Sequence, residues 1–403
     1  MKITHIHIER FRGFQNEDFE VGSLLTAIAG QNGTQKSTLL GIITQTFTLK
    51  TEDSMRVEKP LCGGSYISAF KDKFRLSPTF DKPKGHEWTI SFDAGMDDFT
   101  VESIKRTGDP NVRFWKKGAR QEGDGYISFP TIFLSLKRLV PVAEEAKIIT
   151  DDTLLTQEEL NEFKQLHNKI LIAQTPISSA TTITSKNKQS IGVSTELYDW
   201  NQNSMGQDNL GKIILALFSF KRLHDKYPRQ YKGGILAIDE MDATMYPASQ
   251  VELLKVLRKY ASKLNLQILF TTHSMSLLKA MDDLVQEVTK KEETANQAKI
   301  LYLKKVDDKI AIKQGVNFKG IQLDLNVVAE GNNRKKNRIT AYTEDKENIL
   351  FVKAILKSKA FVLDFVDVTL PCSTLMELVT KRVPAFIYPY SIAVSYTHLR
   401  AHE

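Results

Sequence analysis

The chain has 403 residues, of which 41% are hydrophobic and 26% are charged, and its formal net charge at neutral pH is +7. This length can bury a substantial core and fits one large two-lobed domain with a further piece. Cys62 and Cys372 lie far apart and match no metal-ligand spacing, which indicates a reducing compartment. No apolar run approaches the length of a membrane span, so we expect a cytoplasmic protein with no membrane partner.

Short strands are predicted through residues 1–150, which we define as lobe one. Apolar runs and alternating patterns indicate strands at 2–9, 24–29, 88–93, 98–106 and 130–136. Glycine, aspartate and proline flank many of these runs, which favours an antiparallel layer.

Residues 30–38 have the sequence GQNGTQKST, and they follow an apolar strand and precede a helical pattern. A phosphate-binding loop needs this order, because the first amides of the helix and the positive end of its dipole then face the phosphates. Lys36 would reach the β- and γ-phosphates of ATP, and the Ser37 hydroxyl would bind Mg²⁺. The candidate nucleotide-binding residues of this loop are Gly30, Gln31, Asn32, Gly33, Thr34, Gln35, Lys36, Ser37 and Thr38.

One position of the loop departs from the usual pattern G-x-x-x-x-G-K-[ST]. Gln35 stands where that pattern has its last glycine, which normally lets the backbone pass close to the phosphate. We therefore expect a changed loop path and slow turnover. A simple turn before a helix is the alternative interpretation of the segment.

An insert at 151–203 separates the two predicted lobes. Residues 151–174 have a helical pattern, whereas residues 175–196 are rich in Ser, Thr, Ile and Lys without a clear period, which favours a loop or mobile segment. Sustained heptads are absent, so we expect no long coiled-coil arm.

Lobe two, residues 204–330, alternates strand and helix patterns in the manner of parallel strands with crossover helices. The strand GGILAIDE at 233–240 ends in two acids. Asp239 would hold Mg²⁺, and Glu240 would polarise the attacking water. A second apolar strand, LQILFTTHS at 266–274, ends in His273. Capping acids after a buried strand, and a structural histidine, are the alternatives.

The segment NSMGQ at 203–207 opens an amphipathic helix. Its apolar face consists of Leu210, Ile213, Ile214 and Leu217. An ordinary serine N-cap at Ser204 is the simplest interpretation of this segment.

The positive charge is local. Residues 290–340 contain 12 Lys or Arg and 6 Asp or Glu, which leaves +6 of the chain's +7 in this stretch. Its cluster Arg334, Lys335, Lys336 and Arg338 could contact nucleic-acid phosphates or an acidic partner, although a solvated linker is the commoner meaning of such a run.

Residues 331–393 are predicted to begin a further α/β domain, with a strand, an acidic turn, a helix and a strand between 339 and 368. The last ten residues, VSYTHLRAHE at 394–403, correspond to a translated sequencing adapter. We therefore exclude them from fold reasoning and expect the domain before them to be truncated.

The order of loop, NSMGQ segment, acidic strand and histidine strand is that of ABC-type ATPase heads, and the opening MKITHIHIERFRGF resembles the first strand and turn of RecF-, Rad50- and OLD-like ATPases. The resemblance implies an α/β, two-lobed P-loop head of the ABC type (SMC/RecF-like) without a long coiled coil, covering residues 1–330. It also implies a homodimer or higher homo-oligomer with ATP and Mg²⁺ at its interface. It places Arg12 near the nucleotide and His273 at the γ-phosphate, with Ser204, Gly206 and Gln207 against the ATP of a second subunit.

Within this group the chain resembles the ATPase subunit of Septu-type anti-phage systems, including the retron-borne version. The residues that carry this resemblance are GQNGTQKSTLLG at 30–41, KFRLSPTFDKP at 73–83 and AYTEDKENILFVKAIL at 341–356. It implies an HNH nuclease partner and, for the retron-borne version, a reverse transcriptase with its msDNA. Two alternatives are a RecF-like DNA-repair ATPase and an OLD-like ATPase with its own Toprim nuclease domain, for which Glu344, Asp345 and Glu347 would be the candidate acids.

Overall fold

The computed structural model describes residues 1–66, 70–77, 79–93, 95–105, 112–118, 125–139, 148–152, 154–185, 189–330, 339–381 and 391–394. The chain divides into two compact units, Met1–Leu323 and Asp324–Glu403. The predicted basic cluster Arg334, Lys335, Lys336 and Arg338 lies outside the described residues, as does the tail after Val394.

Strands and helices alternate along most of the chain. The strands are β1 Ile3–Phe11, β2 Phe14–Glu20, β3 Leu25–Gly30, β4 Phe47–Thr48, β5 Glu87–Phe92, β6 Phe99–Lys105, β7 Val112–Lys116, β8 Ile127–Ser128, β9 Thr131–Leu134, β10 Ile149–Asp152, β11 Ser179–Thr184, β12 Gln189–Ser194, β13 Gly234–Ile238, β14 Leu266–Thr272, β15 Ala298–Val306, β16 Lys309–Lys313, β17 Ile339–Thr343, β18 Leu363–Thr369 and β19 Ser391–Val394. The helices are α1 Lys36–Thr44, α2 Phe70–Lys73, α3 Gln157–Leu171, α4 Met205–Lys226, α5 Pro247–Lys263, α6 Met275–Thr289, α7 Phe318–Glu330, α8 Lys346–Leu356 and α9 Cys372–Thr380.

A six-stranded sheet in the order β16-β15-β3-β14-β13-β9 forms the centre of the first unit. All neighbours in it are parallel except the antiparallel hairpin β15–β16. Strands β3, β13 and β14 are buried along their whole length, which explains their continuous apolar sequences. Because parallel strands end at the same edge, residues 30–38, Asp239 and His273 all follow strand ends on one edge of the sheet.

A five-stranded antiparallel sheet, β2-β1-β5-β6-β7, forms a second layer. Its buried aromatic residues contact one another: the Phe11 and Trp88 ring centroids are 5.7 Å apart, and those of Trp88 and Phe114 are 5.1 Å apart. One buried hydrophobic cluster contains residues of both sheets. The sequence analysis missed β2, because only Phe14 and Phe19 of this strand are buried and its other side chains are polar.

The prediction of a loop or mobile segment at 175–196 is wrong. Strands β11 and β12 pair antiparallel there, in the order β10-β11-β12. Both faces of β12 are largely buried, so polar and apolar residues do not alternate along it as they would in a half-buried strand. Its buried Ser190 is satisfied by donating to the Asp208 carboxylate of α4. The helix predicted over 151–174 is shorter: a capping box of Thr156 and Glu159 starts α3 after β10.

The longest helix in the described ranges is α4, with 22 residues, and no coiled-coil arm accompanies it there. None of the helices in these ranges combines the length and the apolar composition that a bilayer span requires.

The second unit contains a parallel sheet in the order β18-β17-β19, with α8 and α9 among its helices. Its acidic turn supplies helix caps. The Asp345 carboxylate accepts the Asn348 N–H of α8 at 2.8 Å, and the Glu344 carboxylate accepts the Cys372 N–H at the start of α9 at 3.3 Å.

A buried ionic cluster holds the segment before β5 against the turn between β1 and β2. The Arg12 guanidinium donates two hydrogen bonds of 3.0 Å to the Asp81 carboxylate, and the His86 ring lies 3.1 Å from the same group. Burial would raise the pKa of Asp81, but hydrogen bonds from Arg12, the Ser77 amide and His86 lower it to about 2.

We predict that Asp81→Asn lowers the free energy of unfolding by about 2 kcal/mol at pH 7. A depressed folded-state pKa stabilises the protein above the unfolded-state value of 3.8 and loses this effect as the pH falls toward 2. The difference between wild type and variant should therefore shrink between pH 4 and pH 2.5, as measured by urea unfolding across this range. A difference that stays constant with pH would contradict the prediction.

Candidate nucleotide-binding site

The loop at 30–38 connects β3 to the N-terminus of α1. No side chain caps α1, and its first turn contains no acidic residue. Gly30 and Gly33 have φ angles of 153° and 79°, which glycine adopts without strain. The first amides of α1 and the positive end of its dipole are therefore available to an anion.

Lys36 lies folded back into this loop. Its Nζ donates to the Gly30 carbonyl at 3.0 Å and to the Gln31 carbonyl at 2.8 Å. Burial lowers the pKa of Lys36 to about 8, against the opposing effect of Glu240 and Asp239. A phosphate group beside Lys36 would favour the charged ammonium, so anion binding and protonation of this lysine support each other.

Gln35 fits the loop at the cost of backbone strain. Its φ and ψ angles are 62° and 32°, in the left-handed region where a residue with a Cβ costs about 1–2 kcal/mol more than glycine. Its side chain points toward the turn after β1, since a Cβ on Gly13 would lie 3.0 Å from the Gln35 Nε2. The Gln35 Oε1 is buried without a hydrogen-bond partner. Gln35 therefore replaces the usual glycine by adopting a strained left-handed backbone and by placing its side chain in the space beside Gly13.

The predicted magnesium ligands meet at the sheet edge. The Ser37 hydroxyl donates to the Asp239 Oδ1 at 2.8 Å, and the Thr271 hydroxyl donates to the same oxygen at 2.7 Å. A hydroxyl and a carboxylate beside an open helix N-terminus fit the hard-oxygen ligands that Mg²⁺ takes together with nucleotide phosphates. In the described part of the chain, no three or more His, Cys, Asp or Glu side chains are grouped so that they could hold a metal ion by themselves.

Glu240 follows Asp239 in a strained conformation. Its φ angle is 51°, and its peptide groups are held on both sides. Its N–H donates to the Thr271 hydroxyl at 2.6 Å, while its carbonyl accepts from the Arg138 Nη2 at 2.8 Å. The surrounding hydrogen bonds maintain this left-handed backbone.

His273 is exposed at the end of β14. Its backbone N–H donates to the Asp242 carboxylate at 3.3 Å. Partial burial, assisted by the positive charge of Lys36, lowers the pKa of His273. The imidazole is therefore neutral at pH 7, when its ring nitrogens provide one donor and one acceptor.

Arg12 lies at the first turn of α1. Beside its pair with Asp81, its Nη1 donates to the Thr38 hydroxyl at 3.4 Å and its Nη2 to the Arg75 carbonyl at 2.7 Å. The structure thus brings Arg12 next to the loop, although its charge is already paired with a carboxylate.

The NSMGQ segment lies at the start of α4. The Ser204 hydroxyl accepts the Gln207 N–H, and the Gln207 side chain accepts the Ser204 N–H, so the two form a capping box. A Cβ on Gly206 would lie 2.5 Å from the Thr244 carbonyl, which leaves no room for another residue type. Among the hydrogen bonds of the described residues, none joins Ser204, Gly206 or Gln207 to residues 30–38 of the same chain.

Four further residues contact the site and were not predicted from the sequence. They are Arg138, Asn209, Asp242 and Thr271. Asp242 stands two residues after Glu240, and Thr271 stands two before His273, so proximity to the motifs was a usable signal for both. Nothing local marks Arg138 or Asn209, because their contacts join residues far apart in the chain.

We predict that Gln35→Gly is more stable than Gln35→Ala by about 1 kcal/mol, because only glycine adopts the left-handed backbone without strain. Both variants lose the amide side chain, so the comparison isolates the backbone conformation. Urea unfolding of the two proteins measures the difference. Equal stability would show that residue 35 is not held in the left-handed region.

Residues 135–278 match the family described as an AAA ATPase domain. No curated protein matches the chain.

Three solved structures are similar over most of the chain. The SMC head domain from Thermotoga maritima has 14% identity and a TM-score of 0.43, covering 78% of this chain and 100% of that chain. An Smc head domain with an extended coiled coil, bound to the C-terminal domain of ScpA derived from Pyrococcus furiosus, has 13% identity and a TM-score of 0.43, covering 81% and 99%. The recombination mediator protein RecF of the RecFOR pathway has 12% identity and a TM-score of 0.39, covering 78% and 98%. Nothing about function follows from likenesses this distant.

The match at 135–278 includes the acidic strand β13, the helix α4 and the strand β14. These elements place Asp239 beside Ser37 of the loop after β3. The first unit therefore has an α/β fold built on a mostly parallel sheet, and its central part matches the AAA ATPase domain.

Proposed function

We propose that the protein binds and slowly hydrolyses ATP, and that two copies assemble head to tail around the nucleotide. The observation that carries this proposal is the 2.8 Å contact between Ser37 and Asp239, made where the open N-terminus of α1 and the Lys36 ammonium meet. Loop, lysine, hydroxyl and acid are the parts that phosphoryl transfer requires.

Each residue has a distinct task in this account. Lys36 leaves the Gly30 and Gln31 carbonyls and donates to the phosphates instead. Ser37 and Asp239 would hold Mg²⁺, which when bound would neutralise charge on the phosphate oxygens. Glu240 would orient the attacking water and accept its proton, since its strained backbone fixes where the carboxylate can point.

The surface around Ser204 supports a second copy as the partner. Ser204 is exposed at the capped start of α4, where a further anion would face the amides of the first turn that the capping box leaves free. Leu197 and Met205, close to Ser204 in the chain, are exposed at 81% and 43%. Tyr246, in the segment between β13 and α5 that approaches Gly206, is exposed at 50%. An isologous dimer would cover these side chains and complete two nucleotide sites at once.

The sequence resemblance extends the proposal to a partner. In that account the ATP-bound dimer restrains an HNH nuclease in anti-phage defence, and loss of nucleotide releases it. A repair ATPase would instead hydrolyse ATP faster with DNA and would have no nuclease partner. The caps formed by Glu344 and Asp345 give these acids a structural role, so they do not favour an OLD-like nuclease. Co-expression with an HNH protein encoded next to the gene, followed by co-purification with and without ATP, separates the three.

We predict that Mg·ATP doubles the molar mass of Glu240→Gln protein in light scattering, because nucleotide that is bound but not hydrolysed remains at the interface. Lys36→Ala removes the phosphate contact and should stay monomeric at the same ATP concentration. Lys259→Ala, a change at an exposed side chain of α5, provides a control that should behave like wild type.

The two variants together decide the proposal. If the Glu240→Gln protein neither binds ATP nor changes mass, the loop is not a nucleotide site. If it binds ATP as a monomer, the site is correct and the head-to-tail dimer is wrong.

A further inference from the structure

A fully buried arginine lies behind the candidate catalytic acid. Arg138 follows β9 and is only 2% exposed. Its guanidinium donates to the Leu134 carbonyl at 3.2 Å, the Ser135 carbonyl at 3.1 Å and the Glu240 carbonyl at 2.8 Å, and its Nε donates to the Asn209 Oδ1 at 2.7 Å. No carboxylate of the described residues forms an ion pair with it. A buried charge without a direct partner is costly, so the arginine needs a reason to be there.

The acids at the end of β13 supply the electrostatic reason. Burial lowers the pKa of Arg138 to about 10, and Asp239, Glu240 and Asp242 oppose this shift. Their negative charges stabilise the guanidinium through space, and the guanidinium in turn allows three acids to lie near one strand end.

Asn209 connects this arginine to α4. The residue is fully buried, and its side chain hydrogen-bonds three neighbours: Arg138, the Ala243 carbonyl and the Thr244 hydroxyl. Its Oδ1 accepts from Arg138, while its Nδ2 donates to the Ala243 carbonyl at 3.0 Å, three residues after Glu240. Asn209 lies little more than one turn after Ser204 in α4. A shift of the start of α4 would therefore move Asn209 and, through its hydrogen bonds, disturb Arg138 and the Ala243 carbonyl.

Glu240 is the group that such a shift would affect. Its left-handed backbone, with a φ angle of 51°, persists only while its neighbours hold it. The Thr271 hydroxyl accepts its N–H, and its carbonyl accepts from Arg138 and from the Ala243 N–H at 3.1 Å. Loss of the arginine contact would leave the carbonyl with the Ala243 N–H and would weaken this side of the clamp.

We infer that Arg138 and Asn209 are positioning residues that couple the start of α4 to the conformation of Glu240 within one head. This inference rests on the proposed ATPase and deepens it. In a head-to-tail pair, Ser204 of one head would face the ATP held by its partner, whereas Glu240 would act on the ATP of its own head. The link therefore makes hydrolysis at one nucleotide site depend on occupancy of the other.

Steady-state ATP hydrolysis of the full chain tests the link, with nucleotide affinity measured separately by a fluorescent ATP analogue. Arg138→Met and Asn209→Leu should lower kcat by roughly tenfold to 100-fold, while KM and affinity change less than about threefold, because Glu240 is misplaced and the loop at 30–38 is intact. Arg138→Lys keeps the positive charge, so it should retain more activity than Arg138→Met. Asn209→Asp keeps the acceptor for Arg138, so it should retain more activity than Asn209→Leu.

Non-additivity gives the sharpest readout. In a Glu240→Gln background, Arg138→Met should cause no further loss of kcat, because the residue that it positions is already absent. Gln267→Met is the matched control: it removes a buried side chain with hydrogen bonds to Ile3 and Gly22 at the opposite end of β14, and kcat should stay within about twofold of wild type.

The outcomes are distinct. If Glu240→Gln hydrolyses ATP as fast as wild type, the proposed catalytic role fails, and the link fails with it. If Glu240→Gln is inactive but the Arg138 and Asn209 variants behave like Gln267→Met, or lose only affinity, the link alone is overturned. Should Arg138→Met not fold, the pair Asn209→Leu and Asn209→Asp decides, and equal activity of these two would contradict the inference.

Discussion

A single carboxylate oxygen connects the parts of the first unit that would handle nucleotide. The Asp239 Oδ1 accepts from Ser37 on the loop after β3 and from Thr271 on β14, while its own residue ends β13. These three strands are parallel and buried, so their ends meet at one edge without any further constraint. The antiparallel sheet, the helices around it and the buried cluster between them hold that edge in shape.

Two of the residues with a strained backbone lie at that edge. Gln35 and Glu240 are non-glycine residues with φ angles of 62° and 51°. Each such residue costs on the order of 1–3 kcal/mol, which surrounding contacts must offset. Around Glu240 the offset comes from Thr271 and Arg138. Around Gln35 the side chain has a buried oxygen without a partner, so the loop is held less completely on that side.

Local patterns predicted which residues meet at this edge of the sheet, whereas non-local contacts escaped prediction. The loop at 30–38 and the acids after β13 were visible because glycine, lysine and acid spacings are local chemistry, and parallel strands then bring them together. The pair β11 and β12 was missed because β12 is buried against α4, which erases the alternation that marks a half-buried strand. Arg138 has partners 71 and 102 residues away, so only the folded chain reveals its role.

A mixing experiment tests most directly the claim that ATP is shared between two heads. Lys36→Ala subunits have an intact Ser204, and Ser204→Arg subunits have an intact Lys36, so each protein alone should be inactive. In an equal mixture half of the dimers are mixed, and each mixed dimer contains one complete site, so ATP hydrolysis should recover to at most about a quarter of the wild-type rate. A mixture in which ATP neither forms mixed dimers nor restores any hydrolysis would contradict the shared site and leave each head to bind nucleotide alone.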